Sequence, residues 1–206
     1  MKTWSSEVEE IFSECNLDYV YQMNVRFNKR DVLANMESAF LKQQRQNMTQ
    51  ECAEKPKLRT FNLFKEFEEP TVYIRRPLSF YQRRMLAKLR LGCLPLRIET
   101  GRYSIPRLPE EERTCLVCKP MEPLVDIEQE NEKPIESEVH FLFSCNAYLK
   151  EREEWYEKMT LPENFHHLTV EDKLKIVLNK SENVKVTSQF IIMALEARSQ
   201  AMNSAK

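Results

Sequence analysis

Glycine is almost missing from this chain: 206 residues hold two, Gly92 and Gly101. Sheets and doubly wound nucleotide folds need glycine at turns and close backbone approaches, so its scarcity predicts a mainly helical protein. It also removes any glycine-rich phosphate loop. No apolar run approaches the roughly 18 residues of a transmembrane helix, and MKTWSSEVEE lacks the apolar core of a secretory leader. These absences predict an intracellular protein without a membrane partner. No compact basic cluster chooses between nucleus and cytoplasm. No paired-aspartate strand motif, Asp-rich nuclease signature or Ser/His/Asp arrangement is present, so the chain reads as non-enzymatic. Sustained heptads and internal repeats are absent as well.

What remains is rich in helix formers and charge. Residues 5–22 predict a helix, with Ser6-x-x-Glu9 as capping box, Val8, Ile11, Phe12 and Cys15 on one stripe, and Trp4 as a staple before the cap. A longer helix is expected from Asp31 to Thr49, ending before the breaker Lys55-Pro56-Lys57. Leu58, Phe61, Phe64 and Phe67 predict a short helix ending ahead of Pro70, while Thr71–Ile74 is too short to assign. Ser79 caps a helix that stops near Gly92, a suitable residue just past a helix C-terminus. Asn146 is expected to cap a charged helix through Met159. Thr169 with Asp172 opens another, and Val186–Ala197 is apolar enough to require burial against neighbours or a protein partner.

Charge is segregated. Residues 55–107 carry thirteen Lys/Arg against four Glu, net +9; residues 108–170 carry six against fifteen acids, net −9. Arg75, Arg76, Arg83, Arg84, Lys88, Arg90, Arg97, Arg102 and Arg107 fall within 33 residues. Arginine forks match phosphate, and Phe80, Tyr81 and Tyr103 lie among them, able to stack on unpaired bases. The set therefore predicts contacts to RNA or single-stranded DNA. Mutual neutralisation of the two segments is the alternative use of the same charges.

Six cysteines at uneven spacing read as metal ligands plus buried thiols. Cys115 and Cys118 form a CxxC, and His140 and Cys145 follow after 21 intervening residues, with four between them. This C-x2-C-x21-H-x4-C pattern suits a closed, tetrahedral structural zinc site. Cys93 is the first substitute ligand and His166-His167 the second; Cys15 reads as a core thiol. The Pro- and Glu-rich stretch between the pairs reads as an acidic loop over 119–138. The predicted fold is thus mainly α, six or seven helices with a Cys3His knuckle and room for a short β-hairpin at the metal. Its segments are 1–54, 55–109 (basic), 110–159 (zinc) and 160–206.

The run LSFYQRRMLAKLRLGCLPLRIETGRYSIPRLPEEERTCLVC, followed by ESEVHFLFSCNAYLKEREEWY, resembles the C-terminal CCHC zinc region downstream of the reverse transcriptase in non-LTR retrotransposon polyproteins. The likeness covers about Lys57–Met159. It implies that Cys115, Cys118, His140 and Cys145 hold the metal, and that the arginines lie where such regions contact template nucleic acid. Polymerase fingers and palm, and the endonuclease of some relatives, have no counterpart in the sequence. The resemblance therefore implies a remnant or domesticated fragment without residual catalysis.

Overall fold

The computed structural model describes residues 3–15, 17–18, 28–64, 72–118 and 133–204. The expected continuation of the first helix past Asp18, the Phe67 end of the short helix and most of the acidic loop lie outside these residues. The chain divides into two compact units, Met1–Lys55 and Pro56–Lys206.

The first unit contains α1 (Trp4–Glu14) and α2 (Lys29–Glu54). The capping box is three residues earlier than Ser6-x-x-Glu9. Thr3 is the cap, accepting from the Ser6 amide at 3.3 Å, and Ser6 Oγ accepts from the Thr3 amide at 3.0 Å. A serine at the third helical position closes the box as well as a glutamate does. Trp4 is consequently the first helical residue and 79% exposed, not a staple.

Among the described residues, the second unit holds seven α-helices. They are α3 (Arg59–Phe64), α4 (Val72–Arg75), α5 (Phe80–Arg90), α6 (Arg97–Thr100), α7 (Leu149–Glu157), α8 (Val170–Asn179) and α9 (Val184–Ser204). Ser79 and Thr169 cap α5 and α8 as the sequence predicts. Asn146 instead begins a short 3-10 turn, Asn146–Tyr148, and α7 opens at Leu149 with no side-chain cap bond. Gly92 follows α5 at φ 63°, where a side chain is strained.

The long apolar helix α9 packs on α5, α7 and α8. Phe190 of α9 stacks on Trp155 of α7, ring centroids 4.3 Å apart, and Phe141 approaches both Phe190 and Tyr148. The core runs continuously from Phe64 to Ala194 and includes Cys115 and Cys145, so the metal-type cysteines sit in the same apolar body as the helices. No strand occurs among the described residues; where a hairpin was anticipated there is one antiparallel bridge, Thr114 to Ile135. No helix among them is long and apolar enough to cross a membrane.

Candidate metal centre

Four side chains distant in sequence meet at one point. The ligand atoms of Cys115, Cys118, His140 and Cys145 all lie within 4.8 Å of one another. Cys118 Sγ is 3.2 Å from His140 Nε2 and 3.4 Å from Cys145 Sγ, and Cys115 Sγ is 3.8 Å from Cys145 Sγ. A tetrahedron with bonds near 2.3 Å to sulfur and 2.0 Å to nitrogen has edges of roughly 3.5–3.8 Å. The cluster is at that scale and can hold a metal ion. Cys93, the substitute ligand, is not a member and donates from its thiol to the Leu91 carbonyl. Neither His166 nor His167 is a member.

Each ligand is placed by a specific local structure. The Thr114–Ile135 bridge is reinforced by the Cys115 amide donating to the Pro134 carbonyl at 2.8 Å and the Glu136 amide to Arg113 at 2.9 Å. These bonds lay the CxxC knuckle beside the short extended stretch that precedes the helical turn carrying His140. The H-x4-C spacing is one wide π-type turn, His140–Ser144, closed by the Cys145 amide on the His140 carbonyl at 2.8 Å. Such single wide turns commonly mark functional sites. Cys115 and Cys145 are fully buried, His140 nearly so, and Cys118 half-buried.

The thiols are electrostatically unequal. Hydrogen bonding from Cys145, helped by His140 and by the amides of Val117 and Cys118, holds Cys115 down at about 3. The same bond, with burial, pushes Cys145 well above the ordinary thiol range, and burial raises Cys118. Backbone amides of Ala147 and Asn146 aim at the Cys145 and Cys118 sulfurs. Donors of this kind stabilise thiolate charge once a cation is present.

A ring of buried charge braces the cluster. Arg152 donates from Nε to the Leu142 carbonyl at 2.8 Å and from Nη2 to that of Cys145 at 2.7 Å, tying the middle and the end of the ligand turn to α7. Glu136 lies 3.9 Å from Cys115 Sγ and is clamped by Arg198 of α9. Its Oε2 also accepts the Arg97 amide at 2.6 Å. Glu138 is held by Arg59 at 2.6 Å, and Arg113 donates to the carbonyls of Leu108 and Ile98. The Tyr148 hydroxyl is buried beside this network with no hydrogen-bond partner among the described residues, and burial raises its pKa. Glu136 and Glu138 close the stretch expected as an acidic loop over 119–138, yet both are buried. No periodicity in the sequence marks them: Glu136 lies in an extended stretch, and Glu138 opens the helical turn that runs into His140.

The nine predicted phosphate-contacting residues do not behave alike. Arg75, Arg76, Arg83, Arg84 and Arg107 are exposed, and Lys88, Arg97 and Arg102 are partly buried. Arg83 donates to the Arg76 carbonyl at 3.1 Å, Arg76 to Ser181, and Arg102 faces Glu99 at 3.6 Å. Arg90 is a correction. Its guanidinium is buried over the rings of Phe64 and Tyr73, at 4.6 and 5.4 Å, and bonds the Leu178 carbonyl and the Asn179 amide oxygen. It lies one helical turn from Leu86, on the buried side of α5, and serves the core.

Comparison with protein-family models, with curated proteins and with solved structures yields no match. The reading of function therefore rests on the geometry.

Proposed function

We propose that this chain is a non-catalytic, zinc-stabilised nucleic-acid-binding region, of the kind that lies downstream of the reverse transcriptase in non-LTR retrotransposon polyproteins. The observation that carries the zinc part is the convergence of three sulfurs and one imidazole within 4.8 Å on a buried floor. With four protein ligands a bound Zn2+ is closed, so its work is to hold the fold and not to activate water. Cys115, Cys118 and Cys145 bind it as thiolates and His140 through neutral Nε2, the nitrogen that faces Cys118.

The nucleic-acid part is supported by the start of α5. Phe80 is 81% and Tyr81 51% exposed, and both stand among the exposed arginines 75, 76, 83 and 84. Exposed rings among guanidinium groups are the combination that binds unpaired strands, stacking on bases while arginines hold phosphates. RNA and single-stranded DNA are the substrate classes.

The test is binding of the metal-loaded protein to short RNA and single-stranded DNA across a salt series. Four phosphate contacts give a log–log salt slope of about −3 on a single strand. Removing Arg75, Arg76, Arg83 and Arg84 should flatten that slope. Phe80→Ala should weaken binding by about 1–3 kcal/mol and leave the slope unchanged. Absence of binding at low salt by folded, metal-loaded protein would refute the reading.

A second reading, a protein-interaction module, is favoured by the cleft between α7 and α9. Trp155, Phe190, Ile192 and Met193 line about 280 Å³ there, rimmed by Glu151 and Glu154. Loss of partner capture on Met193→Glu, with nucleic-acid binding absent, would favour it.

A further inference from the structure

The described residues of the first unit hold two helices that bury little apolar surface. Of its described residues, Leu17 and Cys52 alone are buried, and α1 buries none. Helices in water owe most of their stability to covering an apolar face, and here that face is about half exposed. On α2, Leu33, Phe40, Leu41 and Met48 are 54%, 58%, 43% and 47% exposed. At the helical repeat they fall within an arc about 100° wide, the width of a face meant for packing.

The two helices differ greatly in length. An eleven-residue α1 reaches about 16 Å and a 26-residue α2 about 39 Å. Ile11 and Cys15 of α1 share a groove of about 420 Å³ with Leu33, Met36, Glu37 and Phe40, all in the first half of α2. The second half, with Leu41 and Met48, presents the same face beyond that groove.

The charges on this face indicate the occupant. Arg30 stands on it at the N-terminal end with Lys29 at its edge, Glu51 stands on it at the C-terminal end with Glu54 at its edge, and Glu37 lies between, in the groove. In an antiparallel pair of α2 helices centred between Leu41 and Lys42, Lys29 meets Glu54 and Arg30 comes within a turn of Glu51. A parallel pair would set like charges together at both ends. The face is its own complement under a two-fold axis, the requirement for an isologous dimer. We propose that residues 1–55 form a self-association unit, in which two copies of this chain pair antiparallel through α2 and each fills the other's groove with its Leu41–Glu54 half. Glu51 is also 3.0 Å from Lys55, an exposed pair within one helix. Pairs of that kind contribute little and exchange readily.

Sedimentation of the full chain over a concentration series tests this. Wild type should pass from monomer to a species of twice 24.6 kDa. Phe40→Glu should weaken that association at least tenfold. Lys29→Glu with Arg30→Glu, and separately Glu51→Lys with Glu54→Lys, should each weaken it, whereas mixing the two variants should restore a heterodimer. That restoration shows that each variant still folds. An equimolar mixture of Lys29→Cys and Glu54→Cys chains should cross-link 29 to 54 on oxidation. A monomer at every concentration, association indifferent to Phe40 and to both charge reversals, or 29-to-29 cross-links in place of 29-to-54 would overturn the proposal. None of these outcomes depends on nucleic-acid binding.

Discussion

Glu136 receives both forks of the Arg198 guanidinium, at 2.7 Å on Oε1 and 2.8 Å on Oε2, across 62 residues of chain. One partner precedes the ligand His140 by four residues and the other ends the buried face of α9. Their pairing fastens the metal approach to the longest helix of the second unit. Removing one member of a buried ion pair strands the other in a low dielectric. Arg198→Ala should therefore cost about 3–5 kcal/mol in denaturant unfolding of the metal-loaded protein. Replacing both partners by apolar residues of similar size should cost far less. A single-substitution loss below about 1 kcal/mol, the scale of a surface pair, would show that the clamp is solvated.

The thiols set a pH dependence. Cys145 and Cys118 are raised above their ordinary range, so without metal they keep their protons at neutral pH. Metal must displace those protons, and affinity should rise with pH and fall on acidification. Isothermal titration in buffers of different ionisation enthalpy should report proton release on zinc uptake. A structural zinc contributes on the order of 10 kcal/mol to folding, so a strong chelator should unfold the second unit, followed by far-UV circular dichroism. Metal uptake with no release of protons would contradict this assignment of charge.

Arg152 braces the turn between His140 and Cys145 through backbone carbonyls. Lysine in its place keeps charge but loses the planar fork that reaches two carbonyls at once. Arg152→Lys should keep the helical spectrum and lower zinc affinity about 10–100-fold in chelator competition, the range seen when supporting contacts around ligands are lost. Unchanged affinity would mean that the π-type turn holds its shape unaided.

The parts legible in the sequence were those with short-range rules. Ser79 and Thr169 cap by the residue three positions on, Gly92 ends a helix by its freedom at positive φ, and C-x2-C with H-x4-C fixes two halves of one cluster locally. Thr3-x-x-Ser6 obeys the same rule but was concealed by a stronger-looking Ser-x-x-Glu three residues on. The buried charges followed no such rule. Arg59 finds Glu138 across 79 residues and Arg198 finds Glu136 across 62, and nothing in the spacing relates them. A glutamate in a polar run looks solvated until the chain folds back over it. Arg90 was misread for the opposite reason: its basic neighbours suggested a surface, while its place one turn from Leu86 carried the contrary signal.

Gly92 has an effect well away from its own turn. A Cβ there would stand 2.7 Å from the Lys57 carbonyl oxygen and 3.3 Å from Arg59 Cζ. Arg59 is the arm that reaches Glu138, two residues before His140, and its Nη2 also donates to the Gly92 carbonyl at 3.2 Å. Any larger residue at 92 must displace the chain that carries this arm. A missing methyl at the end of one helix is thereby mechanically connected to the aim of an imidazole, and a substitution in that buried turn would emerge as a defect in metal retention.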